Sequence, residues 1–286
     1  MGWGDTMPEL PEVEVVRRDL EKEVVGKRIK GAEVTGSMRA VRRHRQRKQF
    51  TAPLEGQKIT GVERRGKYLV VALDSGDALV VHLGMSGQLR RAKSARDATL
   101  KHTHVVITFT QGGQLRFVDP RTFGEMFVTH ADDIEKEVEE LAHLGYDPLE
   151  TAVSWDYFGE MLRARKTKLK ALLMDQKFMA GIGNIYSDEI LFTAGLRWDR
   201  MSDSLSSSEV RRLYRAIGEV LQDAVKYRGS SLADEQYVDL FGEPGQYQLH
   251  HKVYAREGEA CRRCRRPIAR TKVGGRSTFY CEACQV

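Results

Sequence analysis

The chain has 286 residues, and its 46 lysines and arginines against 40 acidic residues give a formal net charge of +6. That length suits two domains with a core ample enough to fold without cross-links, and that charge suits a polyanionic partner. No apolar run is long enough to span a bilayer and no charged-then-apolar leader precedes the first elements, so no membrane-spanning helix is expected and a reducing cytosol is the expected compartment.

Residues 1–7 read as an extension ahead of the first element. Met1-Gly-Trp-Gly-Asp-Thr6 formally fits a myristoylation pattern, but nothing downstream supplies the second signal that stable anchoring needs. Met7-Pro-Glu-Leu-Pro-Glu-Val-Glu14 opens a helix. Val13, Val16, Leu20 and Val24 recur at helical spacing over 11–25, Pro11 sits in the first turn, and Gly26 follows the end. The acids of that first turn suit the positive end of the helix dipole. The same segment also offers chemistry. Met7 before Pro8 is a second possible start, and removal of the methionine would leave Pro8 with a free secondary amine. An α-amine has a pKa near 8, so a useful fraction is neutral and nucleophilic at pH 7. Its attack on a sugar aldehyde carbon would give an iminium, which is an electron sink, and Glu9 stands beside it to move protons. With residues 1–7 retained, the Pro8 nitrogen is an amide and cannot attack.

Short β-branched and aromatic runs follow at 67–73, 78–82, 104–109 and 114–118. Ser75-Gly-Asp77 and Gln111-Gly-Gly113 punctuate them as hairpin turns, so the first half predicts a β-sandwich or barrel. Two loops at strand ends stand out: His82-Leu-Gly-Met-Ser-Gly87 and Asp119-Pro-Arg-Thr-Phe-Gly124. Met85, Arg121 and Phe123 are two apolar wedges and a cation, suited either to prying open a base step or to anchoring the loops on the sandwich. Residues 131–144 are acidic and helical in pattern. Gly145-Tyr-Asp-Pro148 breaks that pattern and marks a linker at 145–153.

From 154 to 227 the periodicity is helical, as in Trp155, Phe158, Met161 and Leu162, and again in Val210, Leu213, Ile217, Val220 and Leu221. Gly181-Ile-Gly-Asn184 opens the helix through Asp188 and Leu191. Glycines permit close approach and a helix N-terminus offers N–H groups to an anion such as phosphate, although a tight turn between packed helices reads equally well. Residues 228–254 are Gly-rich and polar, with strand character at their end. The chain closes on Cys261-Arg-Arg-Cys264 and Cys281-Glu-Ala-Cys284, its only cysteines, sixteen residues apart. Four thiolates at this spacing predict one tetrahedral zinc; two disulfides would suit a short secreted chain better. Arg262, Arg263, Arg265, Arg266, Arg270, Lys272 and Arg276 make the ribbon basic, which suits a hairpin pressed on phosphates, though a purely structural zinc remains the alternative.

Taken together, Pro8-Glu-Leu-Pro-Glu12, Arg65-Gly-Lys67, His82-Leu-Gly-Met85, Asp119-Pro-Arg121 with Phe123-Gly124, Gly181-Ile-Gly-Asn-Ile-Tyr186 and the C-terminal ribbon occur in the order seen in formamidopyrimidine-DNA glycosylases. The resemblance covers nearly the whole chain after Thr6. It implies an α+β multidomain protein: an N-terminal β-sandwich with a leading helix (8–144), a linker (145–153), a helix–two-turn–helix domain with a lesion-covering loop (154–250, the loop within 228–248) and a zinc ribbon (251–286). It further implies excision of oxidised purines, chiefly 8-oxoguanine opposite cytosine and formamidopyrimidines, followed by β,δ-elimination at the abasic site. Carried over by motif, the nucleophile matches Pro8, the general acid Glu9, and the lysine that holds phosphate and assists elimination Lys67. Met85, Arg121 and Phe123 match the residues that fill the gap left by the flipped nucleotide, and Asn184 and Arg276 match phosphate contacts. Cys261, Cys264, Cys281 and Cys284 match the ligands of one structural zinc. The implied partner is double-stranded DNA carrying oxidised bases or abasic sites, met by a monomer in the cytoplasm at the nucleoid. Endonuclease-VIII-like relatives usually begin Pro-Glu-Gly, so Leu10 favours the purine branch over a glycosylase for oxidised pyrimidines. A noncatalytic damaged-DNA binder with a blocked Pro8 is the competing class. The basic run at 39–48 reads as solvated surface, or as added nonspecific affinity for DNA.

Overall fold

The computed structural model describes residues 7–232 and 236–286; residues 1–6 of the expected extension and 233–235 of the expected lesion loop lie outside them. Helix α1 (Leu10–Val24) leads into β1 (Ile29–Val34), α2 (Arg47–Thr51), β2 (Ile59–Arg65), β3 (Tyr68–Leu73), β4 (Asp77–His82), β5 (Gln88–Ala92), β6 (Thr103–Phe109), β7 (Gln114–Val118) and β8 (Glu125–His130). The strands form two antiparallel four-stranded sheets, ordered β1-β6-β7-β5 and β2-β3-β4-β8. Their inner faces interdigitate through Leu69, Val71, Leu79 and Val81 on one side and Val105, Ile107, Leu115 and Phe117 on the other. The outer face of the second sheet is covered too. Tyr68, Val70, Val80 and Phe127 pack on Ile134, Val138 and Leu141. Burial on both faces is why β3 and β4 read as continuous apolar runs rather than alternating ones.

The acidic 131–144 segment is helical only in pieces. A 3-10 turn is followed by α3 (Ile134–Glu137) and α4 (Glu139–Ala142), with Val138 in extended backbone between them. The chain then crosses to α5 (Trp155–Arg163), α6 (Leu169–Leu173), α7 (Asn184–Ala194) and α8 (Ser207–Lys226). Between α6 and α7 it makes two tight turns, with Phe178 and Met179 N–H bonding back to the Asp175 carbonyl and Gln176 bridging the Gly181 N–H and the Ile182 carbonyl. The expected strand character before Tyr254 is not realised. Residues Tyr247–His250 form a 3-10 turn, and the N–H groups of Lys252, Val253 and Tyr254 donate to the buried Glu189 carboxylate instead of to a neighbouring strand. The chain ends in the hairpin β9 (Ala269–Val273) and β10 (Arg276–Tyr280).

Helix α1 and a buried ion cluster help to join the halves of the molecule. Helix α1 serves both cores: Leu10 packs into the helical one, and Val13, Val16, Leu20 and Val24 into the sandwich. Beside it, the fully buried Arg64 guanidinium pairs with Glu14 at 3.1 Å, Asp147 at 2.6 Å and Glu150 at 3.2 Å, fastening the crossing segment to β2 and α1. The hairpin has no core of its own, since Cys261, Ile268, Phe279 and Cys281 belong to the helical cluster. A buried ion pair adds to this: Lys170 on α6 meets Asp188 on α7 at 2.7 Å, and Asp188 also accepts the Phe279 N–H at 2.8 Å.

Candidate active site

The start of α1 meets the start of α7 head to head. Leu10 N–H donates to the Gly181 carbonyl at 2.9 Å. A side chain at Gly181, which has φ +82°, would put its Cβ 2.6 Å from that of Leu10, and one at Gly183 would stand 2.5 Å from the Glu9 carboxyl carbon. Only glycines let the two backbones approach this closely. The Glu9 carboxylate thereby accepts the N–H groups of Gly183 at 2.8 Å, Ile185 at 2.8 Å and Tyr186 at 3.3 Å. So the anion at this helix N-terminus is the chain's own Glu9, and these three donors are not open to a phosphate as the motif suggested. Burial pushes the Glu9 carboxyl above its ordinary value, against the Lys67 charge and the three N–H donors.

One turn along, Glu12 takes the Glu9 N–H at 2.9 Å, the Tyr186 hydroxyl at 2.5 Å and the Ser230 N–H at 2.7 Å. Burial pushes it up to about 7; the Tyr186 hydrogen bond opposes the rise and the charge of Glu9 adds to it. Pro8 is buried beside this group and lines a small cavity with Met7, Glu12 and Ser230. Lys67 follows the turn at Gly66, half-buried, and burial pulls its ammonium below the usual lysine range while the Glu9 charge resists.

Glu9, Lys67, Met85, Asn184 and Arg276 all line one cleft of about 640 Å³, together with Glu140 and Tyr254. Five of the eight residues singled out for catalysis and DNA contact thus share one space, although they come from distant stretches of chain. Asn184 has a buried side-chain oxygen with no hydrogen-bond partner among the described residues. Arg276 comes to the cleft from the hairpin tip, where Gly274 and Gly275 both have positive φ and turn β9 into β10. Arg121 and Phe123 do not line the cleft but stand on the loop next to Met85. Asp119, fully buried, accepts from the Ser86 hydroxyl and from the Gly124 N–H at 2.8 Å, tying the two loops together. Phe123 is 47% exposed, with the Arg121 guanidinium 4.8 Å from its ring centre. Sequence reasoning missed Glu12 as a working part of the site. It lies within the quoted motif, but its partners Tyr186 and Ser230 are 174 and 218 residues away. Gln176, which braces the turn before α7, carried no signal.

The four cysteine sulfurs lie within 4.8 Å of one another, with Cys264 and Cys281 3.4 Å apart and Cys261 and Cys284 3.9 Å apart. Zinc–thiolate bonds of about 2.3 Å in a tetrahedron require sulfur separations of roughly 3.8 Å. The set fits one structural zinc ion, with no position left open for a reacting ligand.

Family models match three stretches: the formamidopyrimidine-DNA glycosylase N-terminal domain over residues 7–126, the formamidopyrimidine-DNA glycosylase H2TH domain over 144–236, and the zinc finger found in FPG and IleRS over 258–286. Formamidopyrimidine-DNA glycosylase of Pelotomaculum thermopropionicum is 41% identical over 279 residues, covering 98% of this chain and 99% of that protein. The Thermus thermophilus protein of the same name is 43% identical, with 98% of each chain covered. Among solved structures, the MutM (Fpg) protein from Thermus thermophilus superposes with a TM-score of 0.85 at 42% identity, over 97% of this chain and 98% of that one. The Lactococcus lactis Fpg in complex with DNA containing an abasic site reaches 0.86 at 36% identity, over 97% and 99%. Among the described residues, no helix is long and apolar enough to cross a membrane.

Proposed function

The chain belongs to the formamidopyrimidine-DNA glycosylase family, and from that premise we propose that it excises oxidised purines from double-stranded DNA and then cuts the strand at the abasic site. In this reading the lesion is flipped out of the stack, and the neutral Pro8 amine attacks C1′ of its deoxyribose. The glycosidic bond breaks and the base departs with a proton. The C1′–O4′ bond then opens, O4′ taking a proton, to leave a Pro8–C1′ iminium; this acidifies C2′, and loss of a C2′ proton puts the C2′–H electron pair into a C2′–C3′ double bond as the 3′-phosphate leaves. A second elimination expels the 5′-phosphate, and hydrolysis returns the Pro8 amine. Glu9 moves the protons and Lys67 grips phosphate beside the sugar. Asn184 and Arg276 hold the backbone, while Met85, Arg121 and Phe123 occupy the gap in the duplex. Four thiolates hold zinc, which supplies rigidity to the hairpin that carries Arg276. One chain supplies every part, so it acts as a monomer, and its substrate puts it in the cytoplasm at the nucleoid.

The observation that carries this reading is the buried Glu9 carboxylate, fixed by three N–H groups one residue from Pro8 and in the same cleft as Lys67. A carboxyl raised above its ordinary value, close to a lysine lowered below its own, is an arrangement suited to proton transfer near pH 7. The test is borohydride reduction during reaction with duplex containing 8-oxoguanine. A chain beginning at Pro8 should be trapped covalently through its N-terminus. A form retaining residues 1–7 should bind the same duplex without trapping. Trapping mapped to Lys67 would overturn the assignment of the nucleophile.

A further inference from the structure

The basic run at 39–48 is not all solvated surface. Arg42 and Arg43 turn inward onto the start of β8, where Glu125 is buried: Arg42 Nε lies 2.9 Å and Arg43 Nη2 3.0 Å from its carboxylate oxygens. Arg43 also stacks 4.4 Å from the Phe127 ring centre and donates to the Glu137 carbonyl. Arg42 has a different second target. Its Nη1 donates to the Gly124 carbonyl at 3.2 Å and its Nη2 to the Phe123 carbonyl at 3.5 Å. One guanidinium therefore grips three consecutive residues, and two of them close the loop on which Phe123 stands.

That loop needs such a grip. Thr122 sits at φ +56°, a region that a β-branched residue seldom adopts. From the inner side the loop is held by Asp119, which takes the Gly124 N–H, and by Gly84, where any Cβ would stand 2.5 Å from the Gly124 nitrogen. From the outer side the carbonyls of Phe123 and Gly124 are held by Arg42. A wedge acts only if its backbone does not yield when it meets a stacked base.

We propose that Arg42 is a positioning residue for base probing, its guanidinium fork fixing the Phe123–Gly124 backbone so that Phe123 can press on the duplex. This rests on the reading of Phe123 as a gap-filling residue. The fork, not the charge, is what matters: an ammonium is a point charge on a flexible stem and cannot reach these three separated acceptors at once.

Arg42→Lys keeps the charge and loses the fork. Its excision of 8-oxoguanine from duplex should fall about tenfold or more, the order expected when a wedge no longer offsets unstacking, while cleavage of a preformed abasic site, which has no damaged base to unstack, stays within threefold of the parent. The salt dependence of binding should be unchanged, since no cation is removed. Because Arg42 acts through Phe123, Arg42→Lys added to Phe123→Ala should slow excision no further than Phe123→Ala alone. Excision within threefold of the parent would overturn the proposal. So would an equal loss on both substrates, or additive losses in the double variant. A parent chain starting at Pro8 that neither excises nor traps would instead overturn the function on which the proposal rests.

Discussion

Glu9 is the residue at which stability and chemistry are tied most closely. Its carboxylate is 2% exposed and has all of its hydrogen bonds donated by backbone N–H groups. Glu9→Gln is therefore not a silent isostere, since one amide end would turn an NH2 toward an N–H donor. Loss of proton transfer should slow excision about 10²–10⁴-fold, and the mismatched donor should destabilise the fold by about 1–3 kcal/mol. Urea midpoints beside single-turnover rates would separate the two effects, and an unchanged midpoint would mean that the helix start relaxes around the amide. His82 gives a pH effect of definite sign. Its ring lies tilted against that of Tyr68 with ring centres 4.5 Å apart, and burial pulls it down to about 4, with Glu125 opposing. A histidine lowered in the folded state contributes stability that is complete above its unfolded value near 6.5 and is lost as pH falls toward 4. His82→Phe should flatten the fall in unfolding free energy across that window, as measured by urea titrations at pH 7, 5.5 and 4.5.

At the scale of elements, the hairpin β9–β10 has two independent fastenings: four thiolates close its own base, and the Lys170–Asp188 pair with the Phe279 N–H ties it to α6 and α7. Removing zinc, by chelation or by Cys261→Ser, should unfold the ribbon and weaken DNA binding through a misplaced Arg276; freshly purified, reduced protein without zinc would contradict this. Lys170→Met leaves the second fastening half made. It should cost about 3–5 kcal/mol where Asp188 is charged, with zinc content unaffected. Burial pushes Asp188 up to about 7. A carboxyl raised in the folded state stabilises at low pH and loses that contribution as pH rises through 7, so the variant should be penalised more at pH 8 than at pH 6. The strands divide by position in the same way. All four runs read from sequence became central strands, β3, β4, β6 and β7, and the four that were missed, β1, β2, β5 and β8, are the edges of the two sheets. Edge strands such as Gln88–Ala92 carry charged and polar residues that a half-paired, partly wet position tolerates, which blurs the pattern.

For the whole molecule, the question is how rigidly the sandwich holds Lys67 and Met85 against the helical half that holds Asn184. Arg64, wholly buried among Glu14, Asp147 and Glu150, spans the two halves. Arg64→Ala strands the partly buried Asp147, while Glu14 keeps Arg17 and Arg18 and the half-exposed Glu150 is solvated, and it should destabilise by about 3 kcal/mol. Calorimetry should then resolve two transitions where the parent shows one. The proposed phosphate grip of Arg276 makes a separate prediction. Arg276→Ala should weaken binding to damaged and intact duplex alike and flatten the log–log salt slope by roughly 0.9. Met85→Ala removes no charge and should leave that slope alone while making lesion extrusion harder.

What the sequence by itself determined was everything carried by short-range pattern. The central strands, the helices α1, α7 and α8, the two Cys-x-x-Cys knuckles and the motifs naming Pro8, Glu9, Lys67 and Asn184 all depend on neighbours within a few residues. Tertiary structure alone decided what those pieces do to one another. It gave the α7 N-terminus to Glu9 instead of to a phosphate, brought Tyr186 and Ser230 onto Glu12, and fastened part of an apparently solvated basic run to the Phe123 loop. The physical reason is that a backbone N–H or a guanidinium has no fixed partner in the sequence. Its partner is whichever acceptor the packing of distant elements brings within hydrogen-bond reach, and burial then makes that pairing obligatory.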